Sequence, residues 1–336
     1  MTQRFGSNAS QPGNPFIEVF RSPLDSEGNR EVLLAFLNVT PEQESHGTTD
    51  NYIKSSWKNY YSNDAVIKKS NLEAPEYVSG TETWPQAFWL NNGGKGAGRA
   101  VPSLGAIRLY NYDGQGNIDD RVSDEAMVWR IYEKNAAGNL VEYQVNGKSP
   151  IDTTITTAML DDNRTTIQNY RWPTTRKWDY TQTIVARGDA DASYNDVVYL
   201  RLAETYLLYA EALNDLNDKQ GAVIWINKVR NRAHASSIDV TALSEDGMDF
   251  ILDERSRELL SEEERRETLI RVSQKGGGDE RDINNYFKRR VRTLNEICGR
   301  PVRGMNEYEV PVLFPIPREI IDANTGKQME QNPGYH

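Results

Sequence analysis

At 336 residues the chain is long enough to bury at least one full core, and length alone allows one to three domains. Its 17 Tyr, 8 Phe and 7 Trp set it apart from disordered chains, although the hydrophobic fraction is only 38%. A net charge of -10 excludes the basic surface that phosphate recognition needs, and it is compatible with uncharged ligands such as sugars. The one cysteine, Cys298, excludes an internal disulfide and a cysteine metal cluster.

In chain order, residues 1–190 are rich in Gly, Asn, Asp, Thr and aromatics, with short apolar runs such as Glu31–Phe36, bounded by Gly28-Asn29 and Pro41. That pattern predicts a loop-rich region with small strands and short helices. From about residue 196 the period becomes helical: Leu202, Tyr206, Tyr209 and Leu213 recur on one stripe, flanked by Ala203, Leu207 and Ala210. After the polar break 214–218, Ala222, Ile226, Val229 and Ala233 repeat the spacing. The two segments predict an antiparallel pair of tetratricopeptide (TPR) size over 197–235. A charged helix over 248–273 follows, then a glycine break at 276–278 and a tail whose Pro311, Pro315, Pro317 and Pro333 exclude a regular helix.

Four motifs in this order resemble the SusD/RagB family of outer-membrane nutrient-binding lipoproteins. They are Arg201-Leu-Ala-Glu204 with Tyr206-Leu207 and Ala210-Glu211-Ala212; Ile226-Asn227 with Val229-Arg230 and Arg232-Ala233; the block Ile251–Leu259 with Glu262 and Arg265; and Pro315-Ile-Pro317 with Gln331-Asn-Pro-Gly-Tyr335. Upstream, Asn29 with Glu31-Val32 is similar to a strand of the family, and Pro102, Tyr110 and Asp113-Gly114 to a later segment. Glu263 and Thr268 stand where the family usually has Gly and Asp.

The resemblance implies a mainly α, SusD-like fold, with a TPR-like pair packed on an irregular region that carries minor β structure. It implies a surface binder of glycans or similar nutrients, with a SusC-type TonB-dependent transporter as partner, no cofactor and no covalent chemistry. The family's Asn-x-Glu-Val strand follows a long N-terminal region, whereas here it comes at residue 29. The expectation is therefore a C-terminal part, as a fragment, a truncated product or half of a split protein. Met1–Ser10 has neither a leader's apolar core nor a lipobox cysteine, and no long apolar run occurs, so as given the chain is expected neither to span nor to anchor itself in a membrane.

The ligand candidates come from the aromatics of the first region. A sugar ring offers an apolar C–H face rimmed by hydroxyls, so its binder needs flat aromatic platforms beside Asn, Asp or Arg. Trp84 and Trp89 beside Asn91, Tyr110, Trp129, and Trp172 beside Arg171 meet that need. For any single one of them, core packing is the competing role.

Other constellations carry less. Asp253, Glu254, Glu258 and Glu262 are interleaved with Arg255, Arg257 and Arg265. Such pairing lowers carboxylate pKa values, which suits salt bridging and not the raised acid of a glycosidase. Glu204 and Glu211 have no histidine at a ligand spacing, and His46, His234 and His336 support no catalytic triad. Gly93–Arg99 lacks the Lys-Ser/Thr of a phosphate loop and reads as a flexible loop. The alternative function is a TPR-like protein-interaction module. Exposed aromatics on the loops of 80–180 would favour glycans, and an exposed apolar groove along 197–235 would favour a protein partner.

Overall fold

The computed structural model describes residues 14–21, 29–37, 56–57, 93, 100, 102, 104–110, 119–144, 173–179, 196–244, 247–275, 287, 289–290, 313–327, 329–333 and 335. Two compact units are present: Met1–Pro102 with Ala106–Glu262, and Ser103–Gly105 with Glu263–His336.

The first unit begins with α1 (Pro15–Arg21), capped by Asn14. The Asn14 side-chain oxygen accepts from the Phe16 and Ile17 amides, while its amide group donates to Asp120 O and Ser123 Oγ. One residue thus starts a helix and ties it to a segment more than a hundred positions away. Strand β1 (Val32–Phe36) follows, then α2 (Leu104–Leu109), of which Ala106–Leu109 belong to this unit, the short strands β2 (Met127–Val128), β3 (Tyr132–Lys134), β4 (Leu140–Glu142) and β5 (Thr174–Thr175), and finally β6 (Val197–Arg201). These pair antiparallel as β1 with β6, β2 with β5 and β3 with β4, the small β content expected beside a mainly helical fold. The inner face of the β1–β6 ribbon places Val32, Ala35 and Val198 on Ile17, Val19 and Phe20 of α1.

The helical half is α3 (Leu202–Asp215), α4 (Lys219–Arg232) and α5 (Gly247–Glu258). Between α3 and α4, Asn217 takes a left-handed conformation (φ 61°), and the Leu216 and Asp218 amides donate to the carbonyls of Ala212 and Leu213. This closes the last turn of α3. Asp218 then starts α4 by accepting from the Gly221 amide at 2.9 Å. The core of the three helices is Ala203, Leu207, Ala210, Ala222, Val223, Ile226, Val229, Leu243, Ile251 and Leu259.

Two expectations are corrected here and one is refined. Residues 197–201 are strand and not the first turn of a helix, because their backbone pairs with β1. Within the predicted stripe of α3, Ala203, Leu207 and Ala210 are fully buried, Tyr206 and Leu213 only half-buried against the same core, and Tyr209 is exposed. The charged stretch is not one helix. It breaks after Glu258, with Ser261 in a left-handed conformation (φ 68°), and resumes in the second unit as α6 (Arg265–Lys275).

In the second unit, Leu269 and Val272 of α6 are buried, and Ser273 Oγ accepts from the Phe287 amide at 3.0 Å. The tail holds α7 (Arg318–Ala323), which buries no residue. Among the described residues no helix is long and apolar enough to cross a membrane.

Candidate functional site

The first unit is organised around a buried ionic network. Glu258, fully buried near the end of α5, receives Arg201 Nη1 at 2.6 Å, Arg121 Nη1 at 3.3 Å and Arg232 Nη2. One turn earlier, Glu254 receives Arg121 at 2.7 Å, Arg230 at 2.7 Å and Arg257 at 2.6 Å. Glu262 takes two bonds from Arg201, at 2.6 and 2.9 Å, and one from Lys177 at 2.5 Å. Asp119 holds the other edge of Arg121, and Glu31 lies 3.1 Å from Arg201 and 3.2 Å from Arg232. Six separate stretches of chain meet there.

The electrostatics decide what this cluster can do. Burial alone would raise the Glu254 carboxyl, but Arg121, Arg257 and Arg230 overcome it and hold its pKa near about 2. Glu258 and Glu262 are likewise driven below the ordinary range by their guanidinium neighbours, against the opposing effect of burial. A glycosidase acid must keep its proton near neutrality, and none of these three does. At neutral pH they are anions that fix arginines, most of which come from outside the charged block.

Lys177 is the exception among the cations. Burial lowers its pKa to about 8, although its ammonium donates to Glu258 O at 2.8 Å and Leu260 O at 3.0 Å and lies near the rings of Phe16 and Phe20.

Of the sugar-binding candidates, Tyr110 and Trp129 are described. Tyr110 is 3% exposed and Trp129 4%. The Tyr110 hydroxyl donates to Arg257 O at 2.6 Å and the Trp129 indole to Val122 O at 2.6 Å. A stacking platform must show a ring face to solvent, so both are corrected to packing residues. Trp178 is buried too, and donates to Ser261 Oγ at 2.9 Å. Trp84, Trp89, Asn91, Arg171 and Trp172 lie outside the described residues.

Among the described residues, exposed aromatics stand elsewhere. Phe36 (57% exposed) and Tyr199 (58%) meet edge to face at 5.2 Å across the β1–β6 ribbon. On α3 and α4, Tyr206 and Tyr209 (48% exposed) flank Trp225 at 4.9 and 5.1 Å, and Lys228 Nζ lies 3.4 Å from the centre of the Trp225 ring. The signal for the first pair was the run 32–37, apolar at every position and so too apolar for a strand with a single buried face. Among the described residues no group of three or more His, Cys, Asp or Glu gathers to hold a metal.

Residues 38–335 match the SusD family. The chain belongs to that family. Over 82 residues, 24% of this chain and 15% of its relative, it is 44% identical to SusD-like protein P25 of Formosa agariphila. A SusD superfamily protein from Bacteroides fragilis superposes at a TM-score of 0.52 with 20% identity, over 96% of this chain and 54% of the other. Surface glycan-binding protein A from Bacteroides thetaiotaomicron aligns at 0.48 with 15% identity, over 98% and 57%. This SusD-family chain has a helix-dominated, SusD-like fold, and it spans about half the length of those solved relatives.

Membership gives the network a further meaning. Arg201, Arg230, Arg232, Glu254, Glu258 and Glu262, which carry the sequence resemblance, are the charges that lock the first unit together. The tail motifs likewise hold each other. The Gln331 side chain accepts from the Ile316 amide at 2.7 Å and donates to its carbonyl at 2.9 Å, and Asn332 donates to Phe314 O at 2.7 Å. These signature residues thus serve the architecture.

Proposed function

We propose that this chain belongs to a cell-surface binder of glycans or similar nutrients, which captures its ligand at the outer membrane and delivers it to a SusC-type TonB-dependent transporter. Membership of the SusD family carries this reading. The lowered pKa values of the network carboxylates support capture without covalent chemistry, because they remove the candidate proton donors. Trp84, Trp89 and Trp172 serve as stacking platforms, with Asn91 and Arg171 bonding the hydroxyl rim; all five belong to the region 1–190, and 191–336 supplies the frame. Lipid anchorage and the transporter partner belong to the full-length protein.

Affinity electrophoresis against a panel of soluble polysaccharides tests this reading. Retardation by one glycan, lost in Trp89→Ala or Trp172→Ala at unchanged melting temperature, is the expected result. Absence of retardation by every glycan overturns it for this chain.

A second reading has its own support. Leu208, Tyr209, Leu216 and Ile224 are exposed along the helical pair, an apolar face of the kind a protein partner covers. In that case Tyr209→Lys with Ile224→Lys abolishes partner binding and leaves any glycan retardation intact.

A further inference from the structure

The stretch 259–264 reads Leu-Leu-Ser-Glu-Glu-Glu, with neither glycine nor proline, and the sequence predicts one helix through it. The structure instead ends α5 at Glu258 and puts Ser261 in a left-handed conformation (φ 68°), which a residue with a β-carbon adopts only when its surroundings impose it. The cause of the break therefore lies outside the stretch.

The carbonyls at the end of α5 show what imposes it. A continuing helix would offer Arg257 O, Glu258 O and Leu260 O to the amides of Ser261, Glu262 and Glu264. Side chains from far along the chain occupy these acceptors instead. The Tyr110 hydroxyl donates to Arg257 O at 2.6 Å, Arg201 Nη2 and Lys177 Nζ each donate to Glu258 O at 2.8 Å, and Lys177 Nζ donates to Leu260 O at 3.0 Å. The Glu262 amide turns to Leu259 O at 3.0 Å, a bond of the tighter i, i+3 kind. The Trp178 indole holds Ser261 Oγ at 2.9 Å, and Lys177 and Arg201 draw the Glu262 carboxylate aside.

Lys177 and Trp178 stand next to each other on the turn 173–179. Neither belongs to the apolar core of α3, α4 and α5, so the turn can withdraw without opening that core. A carbonyl accepts two bonds, so Tyr110 and Arg201 need not leave with it. The freed stretch has a helical alternative: Leu and Glu are strong helix formers, and a continuous helix sets Glu262 four residues before Arg266, the favourable order for an ion pair. We propose that the 173–179 turn is a wedge, which holds residues 259–264 out of the helix that their sequence favours and whose withdrawal lets α5 extend through them. The junction after α5 is then a two-state element, and a ligand or partner that displaces the turn trips it.

Amide hydrogen exchange at Glu262, Glu263 and Glu264, with far-ultraviolet circular dichroism, tests the wedge in the full chain. Lys177→Met combined with Trp178→Phe should slow exchange at these amides tenfold or more and raise the helical signal. Faster or unchanged exchange there, with the α3 and α4 amides still protected, overturns the proposal. Ser261 supplies two variants that leave the ionic network in place and decide the matter even where the Lys177 variant fails to fold. Glycine favours the left-handed turn and alanine the helix, so exchange at the three amides should be at least threefold slower in Ser261→Ala than in Ser261→Gly. In a stretch with no helical alternative, alanine only weakens the left-handed turn and exchanges faster than glycine. Equal rates or that opposite order overturn the wedge.

Discussion

The helical half and the irregular half of the first unit are held together by different physics. Helices α3, α4 and α5 close over a core of Ala, Val, Leu and Ile, with a cap at Asp218 and a left-handed Asn217 between them. The segments around Glu31, Asp119–Arg121, Lys177 and Arg201 come together through buried charge. Apolar packing is tolerant of register, whereas a guanidinium between two carboxylates accepts few arrangements. Loops without regular secondary structure gain from the second device, because hydrogen-bonded charge supplies the specificity that a ladder or a helix would otherwise provide.

Acid should expose that difference most strongly. The folded-state pKa values of Glu254, Glu258 and Glu262 are depressed, so the stability they contribute is complete above about 4.5 and is lost as the pH falls toward about 2, where Glu254 protonates. The irregular half should therefore lose its near-ultraviolet circular dichroism before the far-ultraviolet helical signal falls. Simultaneous loss of both signals would mean that the two halves share one cooperative core and that the contrast is superficial.

Glu258→Ala sharpens the same point at neutral pH. It leaves Arg121, Arg201 and Arg232 buried without their shared carboxylate, a loss of about 3–5 kcal/mol by denaturant unfolding. A loss below about 1 kcal/mol would show that the neighbouring carboxylates re-form the network without it. Leu207→Ala, the corresponding deletion in the apolar core, should cost about 2–4 kcal/mol, because Leu207 is fully buried between α3 and its neighbours. The two variants should differ in kind. Leu207→Ala should shift the whole transition, and Glu258→Ala should loosen the 173–179 turn first, which hydrogen exchange at Arg176 and Asp179 would report.

Legibility followed the range of each interaction. Helices α3 and α4 were visible because a 3.6-residue period and the polar break 214–218 are local. The β6 strand was not, because what makes Val197–Arg201 extended is β1, and Glu31 and Arg201 stand 170 residues apart. The stripe of α3 was legible but the ranking of its members was not: Ala203, Leu207 and Ala210 are fully buried, whereas Tyr206 and Tyr209 lie along Trp225 of α4 and stay partly exposed. Tyr110 was nominated as one of the aromatics of the first region, and the residue that fixes it, Arg257, is 147 positions away. The charged block was read as salt bridging, and it is: Arg257–Glu254 and Arg265–Glu263 pair within it, but Glu258 and Glu262 take Arg121, Lys177, Arg201 and Arg232 from distant stretches, and the break at Ser261 that turns Glu262 toward Arg201 left no local mark.

The smallest effect tests the local end of the comparison. Asp218 accepts from the Gly221 amide at the start of α4, and a β-carbon on Gly221 would lie 2.4 Å from the Asp218 carboxylate, so cap and glycine are fitted to each other. Asp218→Ala should cost about 1 kcal/mol, because one amide of the first turn turns to water for its partner. Since Asp218 caps the first turn of α4 whereas Arg230 and Arg232, which enter the ionic network, lie on its last turn, this loss should add to that of Glu258→Ala within about 0.5 kcal/mol in the double variant. A larger coupling would mean that strain at the α3–α4 turn reaches the ionic network through Arg230 and Arg232 at the far end of α4, and that the helix transmits load between the two halves.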